Sequence, residues 1–102
     1  TVNFALGYGG HDEIVRGVNK LLVKGEVAIT AEMIASSLDT AGQPDPDLII
    51  RTGGAQRTSG FLLWQAAYAE LYFTDTLWPD FDKNELQKAL DWYDPEQRRF
   101  GK

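Results

Sequence analysis

The hydrophobic and polar positions of this chain change period several times, and each change marks an expected element. Thr1-Val2-Asn3-Phe4-Ala5-Leu6 is a β-rich run that predicts a strand, and it begins as though the chain had been cut just ahead of that strand. Gly7-Tyr8-Gly9-Gly10 then supplies a flexible turn. Asp12 and Glu13 follow in what would be the first turn of a helix, where the dipole favours negative charge. Ile14, Val15, Val18, Leu21 and Leu22 fall on one face at the helical period, and Lys24-Gly25 gives a basic last turn with a glycine C-cap. Thr30 is the expected N-cap of a short helix through Leu38 whose buried side carries Ile34, Ala35 and Leu38. After the breaking segment from Ala41 to Asp47, Leu48-Ile49-Ile50 reads as a strand buried on both faces, the mark of a parallel sheet.

Phe61 to Ala69 is bulky and apolar and predicts a helix, and Leu71-Tyr72-Phe73-Thr74 predicts a strand, with the boundary between them unfixed by the pattern. Asp82-Lys83-Asn84-Glu85 resembles a capping box with Asp in the capping position. The helix it opens contains Leu86, Ala89 and Leu90 and ends near Pro95, leaving a polar, exposed tail from Glu96 to Lys102. The predicted order is strand-helix-helix-strand-helix-strand-helix, an α/β fold with a parallel sheet and helices on its faces. No repeat, low-complexity tract or linker divides it, so residues 1–102 read as one domain or part of one.

Composition narrows the function classes. With 102 residues, 43% hydrophobic and 25% charged, the chain is of ordinary globular type, but a chain this short buries only about 60 to 65% of its unfolded surface. Its stability is therefore expected to draw on further residues or a partner. Neither a run of about 18 apolar residues nor a basic-then-apolar leader occurs, which predicts no membrane span and no signal peptide. The absence of cysteine removes disulfides and thiol metal sites within the chain and is compatible with a cytoplasmic location. A formal charge of −5 argues against nucleic-acid binding, which calls for a basic face. The arginines are few but placed: Arg51 and Arg57 lie close in sequence, and Arg98 and Arg99 are adjacent, a pattern equally compatible with a local anion site and with scattered surface charge.

The most informative stretch runs from Asp47 to Ser59. Ligands of open parallel sheets bind at the carboxyl ends of strands, where Arg51 would sit. Gly53 and Gly54 let backbone approach a ligand closely, two guanidinium groups can neutralise a multiply charged anion, and the Ser59 hydroxyl adds a neutral donor. These features read as a diphosphate cradle, although a purely structural glycine turn accounts for the glycines as well. The Walker phosphate-loop spacing is absent. Glu70 interrupts an apolar and aromatic run, where a charge is costly unless paired or metal-bound. Trp64, Tyr68, Tyr72, Phe73, Trp78 and Phe81 could line a hydrocarbon tunnel, but an apolar cluster of this kind is more often core or interface, and that is the expectation here. His11 is the only histidine, so no histidine cluster or Ser/His/Asp triad can form within the chain, and it is expected near the start of the first helix.

Asp45-Pro46-Asp47-Leu48-Ile49-Ile50-Arg51-Thr52-Gly53-Gly54, followed by Arg57-Thr58-Ser59-Gly60-Phe61-Leu62-Leu63-Trp64-Gln65, closely resembles the signature of the cis-prenyltransferases. Ala67-Tyr68-Ala69-Glu70-Leu71-Tyr72-Phe73, Leu77-Trp78-Pro79-Asp80-Phe81, the early Tyr8-Gly9-Gly10 and the terminal Arg98-Arg99-Phe100-Gly101 resemble further blocks of that family in its usual order, covering essentially the whole chain. The resemblance implies the carboxyl-terminal half of a single cis-prenyltransferase domain. The reaction it implies condenses isopentenyl diphosphate with an allylic prenyl diphosphate to lengthen a cis-polyprenyl diphosphate.

By the family pattern, Arg51, Arg57 and Ser59 would bind isopentenyl diphosphate, with Thr58 contributing from the same loop. Glu70 would be the Mg²⁺ ligand or its close support. Arg99 and Gly101 would reach a substrate diphosphate across a subunit interface, although a frayed basic tail is the commoner fate of terminal residues. The resemblance further implies a homodimer in the cytoplasm, peripherally associated with a membrane.

Ala55, Gly60, Gly7 and His11 depart from residues common in the family, which bears on substrate specificity but leaves Arg51, Arg57, Ser59 and Glu70 in place. The family's usual His-x-x-x-Asp-Gly-Asn-Gly-Arg-Trp-like segment, whose Asp binds Mg²⁺, has no counterpart, so no catalytic residue is assigned here and the fragment alone is expected to be inactive. Two other readings remain. One is a noncatalytic partner subunit, which in this family tends to lose the diphosphate-binding Arg and Ser retained here. The other is an unrelated phosphate-binding module.

Overall fold

The computed structural model describes residues 1–94 of the chain. It contains α1 (Gly10–Val23), α2 (Ala31–Ser37), β1 (Leu48–Arg51), β2 (Glu70–Phe73), a short 3-10 turn (Trp78–Asp80) and α3 (Lys83–Tyr93). Two compact units divide these elements. Thr1–Asp45 with Thr58–Ala67 forms the first, and Pro46–Arg57 with the residues from Tyr68 onward forms the second.

In the first unit α1 packs on α2. Gly17 makes the approach possible, because a Cβ there would stand 3.3 Å from both Leu38 Cδ2 and the Ser37 carbonyl oxygen. Leu21 and Leu38 are the buried apolar residues of this contact, while Ile14 and Val18 are half-buried and Val15 and Leu22 remain exposed. The end of α1 follows the glycine rule expected for it. Gly25 adopts a φ of 87°, its N–H donates to the Leu22 carbonyl and the Glu26 N–H to that of Leu21, the paired bonds of a Schellman motif. Thr30 caps α2 by accepting from the Met33 N–H at 3.2 Å. Ala35, expected on the buried side of α2, is exposed.

Two expected elements of this unit do not form. Residues 1–6 are no strand: β1 and β2 make up the only sheet among the described residues, and an alternating run without ladder bonds to a neighbour does not form one. Val2, Phe4 and Leu6 are correspondingly exposed, the last by 90%. The segment expected as a helix from Phe61 to Ala69 is a series of turns. Ser59 and Leu62 take left-handed φ values of 51° and 48°, which a continuous right-handed helix cannot accommodate.

In the second unit β1 and β2 pair in parallel, with Leu48 opposite Glu70 and Arg51 opposite Phe73. The parallel α/β expectation therefore holds, although β1 is half-buried rather than enclosed on both faces. Asp82 caps α3 through the Glu85 N–H at 3.0 Å, as the capping box predicts, and the helix ends at Tyr93, ahead of Pro95. Ala89 is fully buried and the Tyr72 and Trp92 rings meet edge to face at 5.3 Å. Of the aromatics expected in a core, Trp64, Tyr72, Phe73 and Phe81 are half-buried, whereas Tyr68 and Trp78 are largely exposed. His11 lies in the first turn of α1, exposed.

Candidate functional site

Arg51 closes β1, at the carboxyl end of the strand pair where parallel sheets present ligand sites. Its Nη1 donates to the Arg57 carbonyl oxygen at 2.6 Å, so the guanidinium spans the loop that carries the second arginine. Gly53 and Gly54 both adopt φ near 90°, a region closed to ordinary side chains, which explains the glycine pair locally. Their N–H groups are taken up by the neighbouring backbone: Gly53 donates to the Thr76 carbonyl at 2.9 Å and Gly54 to that of Thr74 at 3.0 Å. The Thr74 N–H in turn donates to the Arg51 carbonyl at 3.0 Å. The two glycines thus shape the loop and do not offer their amides to an anion. Arg57 is exposed.

Thr58 and Ser59 follow directly in the chain but fall in the first unit. The Thr58 carbonyl accepts from the Phe61 N–H at 3.0 Å, and Ser59 is exposed. The start of α1 fits against the turn that follows: a Cβ on Gly10 would lie 2.2 Å from the Gly60 carbonyl oxygen, so only glycine allows this approach.

Glu70, half-buried, opens β2 opposite Leu48. Three residue steps along the strands separate that position from the Arg51 and Phe73 pair, about 10 Å along the ladder. Glu70 and Arg51 thus occupy opposite ends of the strand pair. Burial, and after it the charges of Asp47 and Glu70, raise the pKa of Tyr93. Among the described residues no group of three or more His, Cys, Asp or Glu side chains comes together as a metal cage. Arg99 and Gly101 lie outside the described residues.

The sequence reading missed the most constrained charge in the first unit. Glu13 is buried to 1% exposure, and its carboxylate accepts from the Tyr8 hydroxyl, from the Asp39 N–H at 2.9 Å and from Gln65 Nε2 at 3.0 and 3.2 Å. Gln65 Nε2 also donates to Thr40 Oγ1 at 3.1 Å. Burial, and next the hydrogen bond to Glu13, push the Tyr8 hydroxyl up to about 12. The signal available was Glu13 at a helical spacing from the apolar positions Gly17 and Leu21, but partners 26 and 52 residues away were invisible.

A cleft of about 460 Å³ in this unit borders Phe4, Tyr8, Glu13, Arg16 and Asp39, and none of the five sequence-predicted residues described here lines it. Its arginine is already engaged by Asp12 and Asp39, so the cleft is ill suited to a diphosphate and the arginine loop is the better candidate.

Similarity to known proteins runs the length of the chain. The family model for undecaprenyl diphosphate synthase matches residues 1–101. An isoprenyl transferase of Chromobacterium violaceum is 54% identical over 99% of this chain and 40% of its own length, and one of Aquifex aeolicus is 50% identical over 99% and 44%. Among solved structures, a probable undecaprenyl diphosphate synthase from Campylobacter jejuni superposes with a TM-score of 0.81 at 39% identity, covering 96% of this chain and 46% of that one. Lavandulyl diphosphate synthase from Lavandula x intermedia, solved with dimethylallyl diphosphate, gives 0.85 at 39% identity, covering 96% and 45%. The chain spans less than half the length of these relatives. A match that is continuous from the first residue to the last but one, over the same motifs that form the arginine loop and its sheet, means that the chain belongs to the undecaprenyl diphosphate synthase family of prenyltransferases.

Proposed function

We propose that the protein carrying this chain is an isoprenyl diphosphate synthase that condenses isopentenyl diphosphate with an allylic prenyl diphosphate, and that this chain supplies the isopentenyl diphosphate site. The observation that carries the reading is Arg51 at the carboxyl end of a parallel strand, hydrogen-bonded across its loop to Arg57 in a chain matched throughout by the family. Two guanidinium groups on one short loop suit a diphosphate, which brings several negative charges to one place and accepts paired hydrogen bonds. By the family pattern Ser59 and Thr58, next in the chain, would add hydroxyl donors. Arg99 and Gly101 are the further substrate contacts of this reading.

Mg²⁺ takes one or two carboxylates and completes its octahedron with water and phosphate oxygens, so the half-buried Glu70 fits it by donor chemistry. By position, Glu70 fits an ion held apart from the Arg51 guanidinium, because the register separates them. When bound, the ion would neutralise charge on diphosphate oxygens. Retention of both arginines and Ser59 supports an enzyme over a noncatalytic partner subunit. A homodimeric, cytoplasmic enzyme at the face of a membrane completes the reading, and among the described residues no helix is long and apolar enough to cross one.

The test is steady-state kinetics of the full-length protein. Arg57→Ala should raise KM for isopentenyl diphosphate about tenfold to a hundredfold, the loss expected for a charge-assisted hydrogen bond, and lower turnover. Unchanged kinetics would take Arg57 out of the site. In the same assay Glu70→Gln should weaken the dependence on Mg²⁺, and a wild-type metal titration would remove Glu70 as a ligand.

A further inference from the structure

The arginine loop has no regular structure of its own, and its backbone is held by residues 74–76. Three bonds make the splice: Thr74 N–H to the Arg51 carbonyl, Gly54 N–H to the Thr74 carbonyl and Gly53 N–H to the Thr76 carbonyl. Residues 74–76 are also a loop and need an anchor. The Thr76 N–H donates to Thr74 Oγ1 at 3.3 Å, and the Thr76 hydroxyl donates to Glu85 Oε1 at 2.6 Å, in the first turn of α3. Lys88 holds the other carboxylate oxygen of Glu85 at 2.8 Å. Lys88 and then Thr76 keep the Glu85 carboxyl below its usual range.

In a complete capping box Glu85 would reach back to the Asp82 N–H. Here Asp82 caps α3, and the Glu85 side chain is turned toward Thr76 instead. A chain of contacts therefore runs from α3 through Glu85 and Thr76 to the backbone of the turn between Arg51 and Arg57, entirely within the second unit. Gly54 is tightly placed against this segment, since a Cβ there would stand 3.2 Å from Asp75 Oδ1.

We propose that Thr76 and Glu85 are positioning residues for the diphosphate site: their hydrogen bond fixes the 74–76 loop and, through it, the geometry in which Arg51 and Arg57 meet the substrate. The proposal rests on the diphosphate reading of Arg51 and Arg57. Neither residue touches the substrate, so their effect appears as a loss of preorganisation at one substrate and not at the other.

The experiment measures KM for isopentenyl diphosphate and for the allylic diphosphate separately in full-length Thr76→Val, Thr76→Ser, Glu85→Leu and Glu85→Gln, with Arg57→Ala in parallel. Thr76→Val and Glu85→Leu remove the tether and should raise KM for isopentenyl diphosphate about three- to tenfold, the equivalent of one hydrogen bond, with KM for the allylic substrate unchanged. Thr76→Ser and Glu85→Gln retain a donor and an acceptor and should stay within about twofold of wild type. If Arg57→Ala raises KM for isopentenyl diphosphate while Thr76→Val and Glu85→Leu do not, the tether is overturned and the site stands. The tether is also overturned if the conservative pair loses as much as the disruptive pair, or if both substrates are affected alike. An Arg57→Ala protein with wild-type KM overturns the underlying site and the tether with it.

Discussion

Glu13 shows how one residue can serve two purposes that differ in visibility. Its place in the first turn of α1 follows from the favourable interaction of a carboxylate with the helix N-terminus, and that was legible. Its burial was not, because a charge enters the interior only when enough donors meet it, and those donors come from Tyr8, Asp39 and Gln65. Removing the acceptor strands all of them. Glu13→Ala should therefore destabilise the protein by about 3 kcal/mol or more, as expected when several buried donors lose one acceptor, with Glu13→Gln intermediate because one carbonyl oxygen survives. Denaturant midpoints measure this, and a change below about 0.5 kcal/mol in Glu13→Ala would mean the carboxylate is solvated. The Tyr8 hydroxyl belongs to the same set, and its elevated pKa keeps it protonated as a donor throughout the physiological range. The place of Arg51, by contrast, was legible at residue scale: a charged side chain ends the apolar run ahead of the glycine turn, and it closes β1.

Elements held together by charge carry a pH signature. Arg16 in α1 donates to both oxygens of Asp39, just after α2, at 2.9 and 2.8 Å, and to Asp12 within its own helix at 2.8 Å. The Arg16 guanidinium holds the Asp39 carboxyl below its ordinary range. A carboxyl whose pKa is depressed by folding contributes stability above its unfolded value of about 3.9, and that contribution is lost as pH falls through the lower folded value. Asp39→Asn should consequently lower the thermal midpoint at neutral pH and match wild type in strong acid. Both partners are 44% exposed, so the effect is small and fades with added salt. Equal midpoint differences at neutral and acid pH would remove the ion pair as their cause. Caps and C-terminal turns were readable at this scale because their chemistry lies within a few residues, as Thr30, Gly25 and Asp82 show. The second half of the Asp82 capping box was misread for the opposite reason, since a tertiary partner, Thr76, competes for the Glu85 side chain.

At the scale of the whole molecule the described residues bury few apolar side chains: Leu21, Leu38 and Ala89. Val2, Phe4, Val27, Tyr68 and Trp78 are each more than 70% exposed. Exposed apolar surface on this scale favours association. The 102-residue chain in isolation should therefore sediment as more than a monomer, or bind a hydrophobic dye, at micromolar concentration. A monodisperse monomer that binds no dye would contradict this. By itself the sequence determined the helices with their caps, the parallel strand ending at Arg51, and the family, because periodicity, turn chemistry and motif order are written into neighbouring residues. Only the tertiary structure decided that residues 1–6 form no strand, that residues 61–69 turn instead of coiling, that Glu13 is buried and that Glu85 reaches Thr76. Pairing, burial of charge and side-chain tethering depend on partners distant in sequence, and no local pattern encodes whether such a partner will be in reach.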